Sequence, residues 1–200
     1  MSQALLHIGL LAAGTSRRML GADKLMQPVG DTPLLRQQAR RCIDNDLPVT
    51  VALPPGFAAR RQALEGLDLR QITVTADPPG MGDSIAALAR DLIARDTRAA
   101  LLLLPADMPE IDLQDIKSIA AEFARQPDQP LRATSVNGQP GHPVVFPARM
   151  LSGLAALSGD QGAQRLLKQD PPRLMALPAD HAVCDLDTPQ DWAAWRARQS

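Results

Sequence analysis

The sequence predicts an α/β fold: a mostly parallel, mixed β-sheet with helices on both faces, in one domain. Three observations lead there. Apolar runs of strand length alternate with segments of helical period from residue 4 to residue 124. The run Leu101–Leu104 is uninterrupted, as a central parallel strand buried on both faces requires. After Pro127 the alternation gives way to extended pieces joined by turn-rich segments, which add antiparallel strands.

In chain order, strands are expected at 4–11, 48–53, 71–75, 99–104, 131–136 and 142–146. Helices are expected at 33–45, where Leu34, Leu35, Gln38, Ala39, Cys42 and Ile43 contain an apolar stripe, and at 83–94, where Ile85, Leu88, Ala89 and Leu92 repeat at helical spacing. A third, at 112–124, carries Ile116, Ile119, Ala120 and Phe123 and opens on Asp112 as its cap. Two hundred residues suffice for one domain with a sizeable core, and no repeat, low-complexity tract or linker divides them, so 1–200 is expected to be one unit. The run at 4–14 lacks a basic leader and is too short to span a bilayer, so it is taken as a strand, with no membrane partner. Cys42 and Cys184 have neither metal-ligand spacing nor a redox motif; they are expected as buried, reduced thiols, in keeping with the cytoplasm.

Charge narrows the function. Lys plus Arg number 21 against 22 Asp plus Glu, which argues against a nucleic-acid binder needing surplus cations. Three Phe, two Trp and no Tyr leave little for base stacking. A phosphorylated small molecule remains compatible, because it responds to local charge.

Ligands of open α/β sheets bind beyond the carboxyl ends of the strands, and unusual polar groups follow several of these ends. In "LLAAGTSRRMLGADK" (10–24), Gly14 permits a sharp turn, small Ala12, Ala13, Thr15 and Ser16 leave backbone amides accessible, and Arg17, Arg18 and Lys24 bring positive charge. Neither G-x-G-x-x-G nor G-x-x-x-x-G-K-[ST] is present. From the residues alone the loop is equally a solvated connection or an anion cradle. In "LLLLPADMPE", Asp112 serves as helix cap, leaving Asp107 without a structural duty and placed to hold Mg2+. In "CDLDTPQDW", Thr188, Pro189 and Asp191 form a helix start, while Asp187, or less well Asp185 on the same strand face, is a second candidate ligand. In "GMGDS", Asp83 or Ser84 caps a helix, and Gly80 and Gly82 permit close approach by a flat base. His142, in a turn-rich loop, is a structural or a functional histidine on equal terms.

Together "LAAGTSRRMLGADK", "GMGDS", "LPADMPEI", "GQPGHPVVF", "GDQGAQRLL" and "DLDTPQDW" resemble, in that order, segments of molybdenum cofactor cytidylyltransferases and their guanylyltransferase relatives, the MobA-like NTP transferases. The resemblance covers about residues 8 to 195. It implies the nucleoside-triphosphate transferase fold, a Rossmann-like three-layer sandwich, with an NTP-binding half at about 1–110 and an acceptor half at about 111–200. It implies Mg2+-dependent nucleotidyl transfer to a phosphorylated acceptor, with Lys24, Arg18 and Asp107 as catalytic residues. By position, Leu11, Ala12, Ala13, Gly14, Thr15, Ser16, Arg17, Arg18 and Lys24 bind the triphosphate, and Gly80, Met81, Gly82 and Ser84 lie by the base and ribose. Asp107 and Asp187 hold the metal, and Pro140, Gly141, His142 and Pro143 lie toward the acceptor. "LAAG" and "PGHP" are closer to the cytidylyl branch, which implies CTP and molybdopterin as substrates and an apo-molybdoenzyme of the xanthine dehydrogenase type as partner. The alternatives are a GTP-using guanylyltransferase, a sugar- or alditol-phosphate nucleotidyltransferase, and a non-catalytic cofactor chaperone. Leu20 stands where relatives usually carry Gly.

Overall fold

A computed structural model describes residues 6–76 and 78–199. Ala4 and Leu5 of the expected first strand, and Asp77 ahead of the "GMGDS" segment, lie outside the described residues. Among the described residues seven strands form one sheet. Its parallel half runs β1 (Leu6–Leu11), β4 (Val49–Leu53), β5 (Arg70–Thr73) and β6 (Ala100–Pro105). Its second half holds β7 (Leu131–Thr134), β8 (Pro140–Phe146) and β9 (Arg173–Ala176), in the order β5-β4-β1-β6-β8-β7-β9. β8 is antiparallel to both β6 and β7, and β9 returns parallel to β7. A small antiparallel ribbon, β2 (Pro28–Val29) and β3 (Thr32–Pro33), stands apart.

Alternation along the strands builds two apolar layers. Leu102 and Leu104 of β6, with Ile8, Leu10 and Val51, pack on α1 (Leu34–Ile43) and α4 (Leu113–Arg125) through Leu35, Ala39, Ile116, Ile119 and Phe123. Leu101 and Leu103 face the other way, onto α3 (Met81–Arg95), α5 (Leu151–Ala155) and α6 (Gln164–Gln169) through Ile85, Leu88, Leu154 and Leu167. Helices on both faces of a mixed sheet make the three-layer sandwich that the sequence predicts. A third cluster joins Met19, Leu34 and Leu186 to Trp192 and Trp195 of α7 (Pro189–Gln199).

Several expectations need correction. The helix expected at 83–94 starts at Met81 and is capped by Gly80; Asp83, in its first turn, folds back to accept from the Gly80 amide at 3.0 Å. The strand expected at 142–146 begins at Pro140, so His142 belongs to β8 and not to a loop. α2 (Ala58–Ala63), α5 and α6 have five or six residues, too few to show a helical period, and β9 alternates half-buried with exposed residues. Cys42 is fully buried, but Cys184 is only half-buried because it stands at the edge of the third cluster; both are free thiols. Among the described residues no helix is long and apolar enough to cross a membrane.

Candidate active site

The chain leaves the sheet after Ala12, whose amide still donates to the Ala52 carbonyl at 3.0 Å. Beyond it, the amides of Ala13 to Ser16 donate to no acceptor among the described residues. Four free donors in sequence are suited to an anion. The sharp turn expected at Gly14 is made elsewhere: Ser16 (φ 53°), Leu20 (φ 53°) and Gly21 (φ 94°) adopt the left-handed conformation, and Gly14 does not. Arg17 and Arg18 stand exposed between Ser16 and Leu20, while Met19 anchors the loop in the third cluster.

Lys24 opens a short 3-10 turn capped by Asp23, which accepts from the Leu25 amide at 3.0 Å. Its ammonium donates to Asp107 Oδ2 and, at 2.6 Å, to Asp187 Oδ1. Asp107 follows directly from β6, and its carbonyl accepts from the Leu186 amide at 3.0 Å, which draws the 185–188 segment alongside. The Thr188–Asp191 box that starts α7 then sets Asp187: Asp191 accepts from the Thr188 amide at 2.8 Å and the Asp187 amide at 3.2 Å. Arg18 closes the group at 2.5 Å from Asp187 Oδ2. Burial alone would push the Lys24 pKa down, but the charges and hydrogen bonds of Asp107 and Asp187 outweigh it, and the net shift is upward. Lys24 is therefore an ammonium at neutral pH.

The second oxygen of Asp107, Oδ1, is buried without a hydrogen-bond partner among the described residues. A buried carboxylate oxygen without a donor is what a divalent cation would satisfy. Among the described residues no group of three or more His, Cys, Asp or Glu gathers at metal-binding distance. Mg2+ suits this arrangement, since it commonly takes one or two carboxylates and completes its shell with water and phosphate oxygens. Asp185 does not share a strand face with Asp187: residues 184–188 are not a strand, and Asp185 is exposed. Partial burial, then Asp107 and Asp187, push its carboxyl pKa up.

Two cavities meet here. A narrow cleft of about 150 Å3 is lined by Leu11, Ala13, Gly14, Lys24, Gly80, Met81, Ser84 and Asp107. A larger cavity of about 860 Å3 shares Leu11 and Met81 with it, has Leu103, Val144 and Phe146 as an apolar floor, and presents Arg132, His142, Arg165 and Lys168. Ala12, Thr15, Ser16, Arg17 and Arg18 do not line the cleft; the two arginines project outside it. Gly80 and Gly82 are both pressed against another segment of the chain. A Cβ on Gly80 would lie 2.2 Å from the Gly159 carbonyl, and one on Gly82 2.5 Å from that of Gln161. They admit the 158–161 backbone, and Gly82 N donates to Gly159 O at 2.8 Å. Ser84 Oγ donates to its own helix at Gly80 O, 3.1 Å. Of Pro140, Gly141, His142 and Pro143, only His142 faces the larger cavity; Gly141 is pressed onto Ala182, 1.8 Å from a notional Cβ to its carbonyl oxygen. Burial, then the charge of Arg132, lowers the His142 pKa to about 4, so its imidazole is neutral at pH 7.

Arg60 carries no signal in the sequence, standing in an unpatterned stretch. It is completely buried and bonds to Ala12, Ser16 and Asp23 of the loop. Arg132 was equally unmarked, on a short strand beside His142.

Residues 8–193 match the model of the MobA-like NTP transferase domain. The structure is similar to that of Rv0371c from Mycobacterium tuberculosis H37Rv, with a TM-score of 0.79 and 24% identity over 100% of both chains. An Rv0371c homolog from Mycobacterium sp. strain JC1 gives 0.76 and 28% identity over 96% of both chains. Rv0371c in complex with manganese gives 0.73 and 23% identity over 96% of this chain and 97% of that one. No curated protein matches the sequence. With the matched domain spanning nearly the whole chain, and with free amides, an ammonium and two carboxylates gathered at one edge of the sheet, the chain belongs to the MobA-like NTP transferase family and is a nucleotidyltransferase.

Proposed function

We propose that the protein is a Mg2+-dependent CTP:molybdopterin cytidylyltransferase, which forms the cytosine dinucleotide of molybdopterin and releases pyrophosphate. The observation that carries the reaction class is the Lys24–Asp107–Asp187 cluster, which gives Lys24 and Asp107 to the wall of the narrow cleft, with Asp107 Oδ1 buried and unpartnered among the described residues. The choice of CTP and molybdopterin rests on "LAAG" and "PGHP". Ala13 lines the narrow cleft, where its extra carbon relative to glycine leaves less room for a purine.

The amides of residues 13–16 receive the triphosphate, and Lys24, drawn from its carboxylates, and Arg18 neutralise charge on it. Asp107 and Asp187 would hold the metal, whose bound form supplies Lewis-acid polarisation of the α-phosphate; the manganese complex of Rv0371c supports a divalent ion here. The acceptor enters the larger cavity, where Arg132, Arg165 and Lys168 supply positive charge and the floor supplies apolar contact. Residues 1–110 then form the NTP-binding half and 111–200 the acceptor half of a single domain. A phosphate monoester, with its second pKa near ~6, is largely a dianion at neutral pH and needs no strong general base. Its oxygen bonds to the α-phosphorus as the bond to pyrophosphate breaks, so the protein's task is alignment and charge neutralisation. Neutral His142 serves as a hydrogen-bonding wall of the acceptor cavity. Reduced Cys42 and Cys184 fit a cytoplasmic site of action, where the product passes to an apo-molybdoenzyme of the xanthine dehydrogenase type.

Pyrophosphate release with each of the four NTPs, with molybdopterin and Mg2+, tests this reading. CTP should turn over fastest. A preference for GTP would overturn the base assignment, and turnover only with a sugar or alditol phosphate would overturn the acceptor. Cofactor binding without pyrophosphate release from any NTP would leave a carrier.

A further inference from the structure

An arginine without solvent exposure loses hydration that its partners must replace. Arg60, in the short helix α2, is 0% exposed, and its hydrogen bonds run to a single segment of chain. Its Nε and one Nη donate to the two Asp23 carboxylate oxygens at 2.7 and 2.8 Å. That same Nη reaches Ser16 Oγ at 3.2 Å, and the other donates to the Ala12 carbonyl at 2.6 Å. The guanidinium lies over the Phe57 ring, 4.6 Å from its centroid. Arg36 fixes the end of α2 in turn, donating to the carbonyls of Ala63 and Glu65 at 2.7 and 3.0 Å.

The three tied points are the root, the reversal and the return of the loop between β1 and Lys24. Ser16, in the left-handed conformation, also accepts from the Lys24 amide at 3.2 Å. Filling the space under α2 would need only an apolar side chain; holding a carbonyl, a hydroxyl and a carboxylate together needs a planar fork of donors.

We propose that Arg60 is a positioning residue for nucleotide binding, pinning the loop so that the amides of residues 13–16 and the Lys24 ammonium are already arranged for a triphosphate. This rests on the reading of that loop as the nucleotide cradle. Arg60 touches no substrate; it acts by removing the reorganisation that a loose loop would undergo on binding.

The test compares the full chain with Arg60→Met, Arg60→Lys and Asp23→Asn. Four quantities are read: affinity for Mg-CTP by calorimetry, KM for CTP and for acceptor separately, Tm, and the rate of tryptic cleavage after the exposed Arg17 and Arg18. At a temperature where each variant is folded, Arg60→Met should weaken CTP binding about tenfold or more. It should raise the KM for CTP but not for acceptor, and should speed cleavage after Arg17 and Arg18. Arg60→Lys should recover part of this, and Asp23→Asn should reproduce it. A lowered Tm with unchanged CTP affinity and unchanged cleavage would overturn the proposal and leave Arg60 as scaffold. Should Arg60→Met fail to fold, unchanged affinity and cleavage in the other two variants would overturn it equally. A wild-type chain that binds no NTP would defeat the nucleotide reading and this inference with it, whereas variants that bind like wild type defeat the inference alone.

Discussion

Lys24→Met keeps the length of the side chain and removes its charge. The ammonium bonds Asp107 and lies 2.6 Å from Asp187, and the three side chains are 13%, 15% and 17% exposed. At an effective dielectric of about 20 the gross attraction is roughly 6 kcal/mol for a carboxylate at this distance. Dehydration of Lys24 offsets much of it, as the opposing causes of its pKa shift show. Removing one member of a buried ion pair costs roughly 3–5 kcal/mol. Here Arg18 stays on Asp187 and some solvent screening remains, so about 2–3 kcal/mol is expected. At this chain length that lowers Tm by about 4–12 °C. Losing a preorganised cation from the triphosphate should cut kcat by about 10²–10³. The pH dependence has a definite sign. Because the folded pKa of Lys24 is raised, its contribution is complete below the unfolded value of 10.5 and is lost as pH rises through the folded one. The stability gap between wild type and variant should thus stay level from about pH 7 to 9 and close above about 10.5. Melts across that range and pyrophosphate release at pH 7 measure both effects. A kcat/KM within about threefold of wild type, or a gap that already closes below about pH 9, would refute the reasoning.

Three further outcomes are expected. Leu101→Ala, in the fully buried layer under α3, should lose about 2–5 kcal/mol in denaturant melts while the folded enzyme keeps its kinetics. Leu20→Gly relieves a left-handed residue that is 88% exposed and packs little, so stability should rise or hold within about 1 kcal/mol, again by melts, with CTP affinity unchanged. His7 and His142 both have pKa values lowered to about 4, chiefly by burial. The unfolded chain takes up these protons below about pH 6.5 and the native one only near pH 4, so stability should fall as pH drops through that window, by up to about 3 kcal/mol per histidine. Imidazole resonances titrating near pH 6.5 in the folded protein would contradict this.

The sheet was legible because its strands are rich in apolar residues and its major helices run to ten residues or more. What periodicity did not register are helices of five or six residues, such as α2, and the strand β9, which has no buried residue; their place is set by tertiary contacts. The same limit hid Arg60: a cation in an unpatterned stretch reads as surface, and only the approach of Asp23, Ser16 and the Ala12 carbonyl makes it an interior group. Asp107 and Asp187 were visible by elimination, since neighbouring residues already supplied the helix caps. Gly80 and Gly82 were visible as glycines, but the segment they pack against was not. Their need for space comes from residues 158–161, nearly eighty positions away in sequence.

The reversal of strand direction at β8 is what lets one edge of the sheet hold both cavities. In an all-parallel sheet the chain reaches this edge only at strand ends, each followed by a connection back to the opposite edge. β1 and β6 arrive in that manner and deliver the 12–24 loop and Asp107. β8 instead departs from this edge: its register pairs Leu103 with Val144, and His142, two residues nearer the start of β8, lies toward the Pro105 end of β6. His142 of the larger cavity thereby stands near Asp107 of the narrow cleft, without any loop having to reach across. Asp187 arrives by a third route, held by the Leu186 bond to the Asp107 carbonyl and by the tryptophan cluster of α7, which also grips Met19 of the loop. Lys24 is therefore fixed from two directions, by Arg60 behind the loop through Asp23 and Ser16, and by the two carboxylates in front.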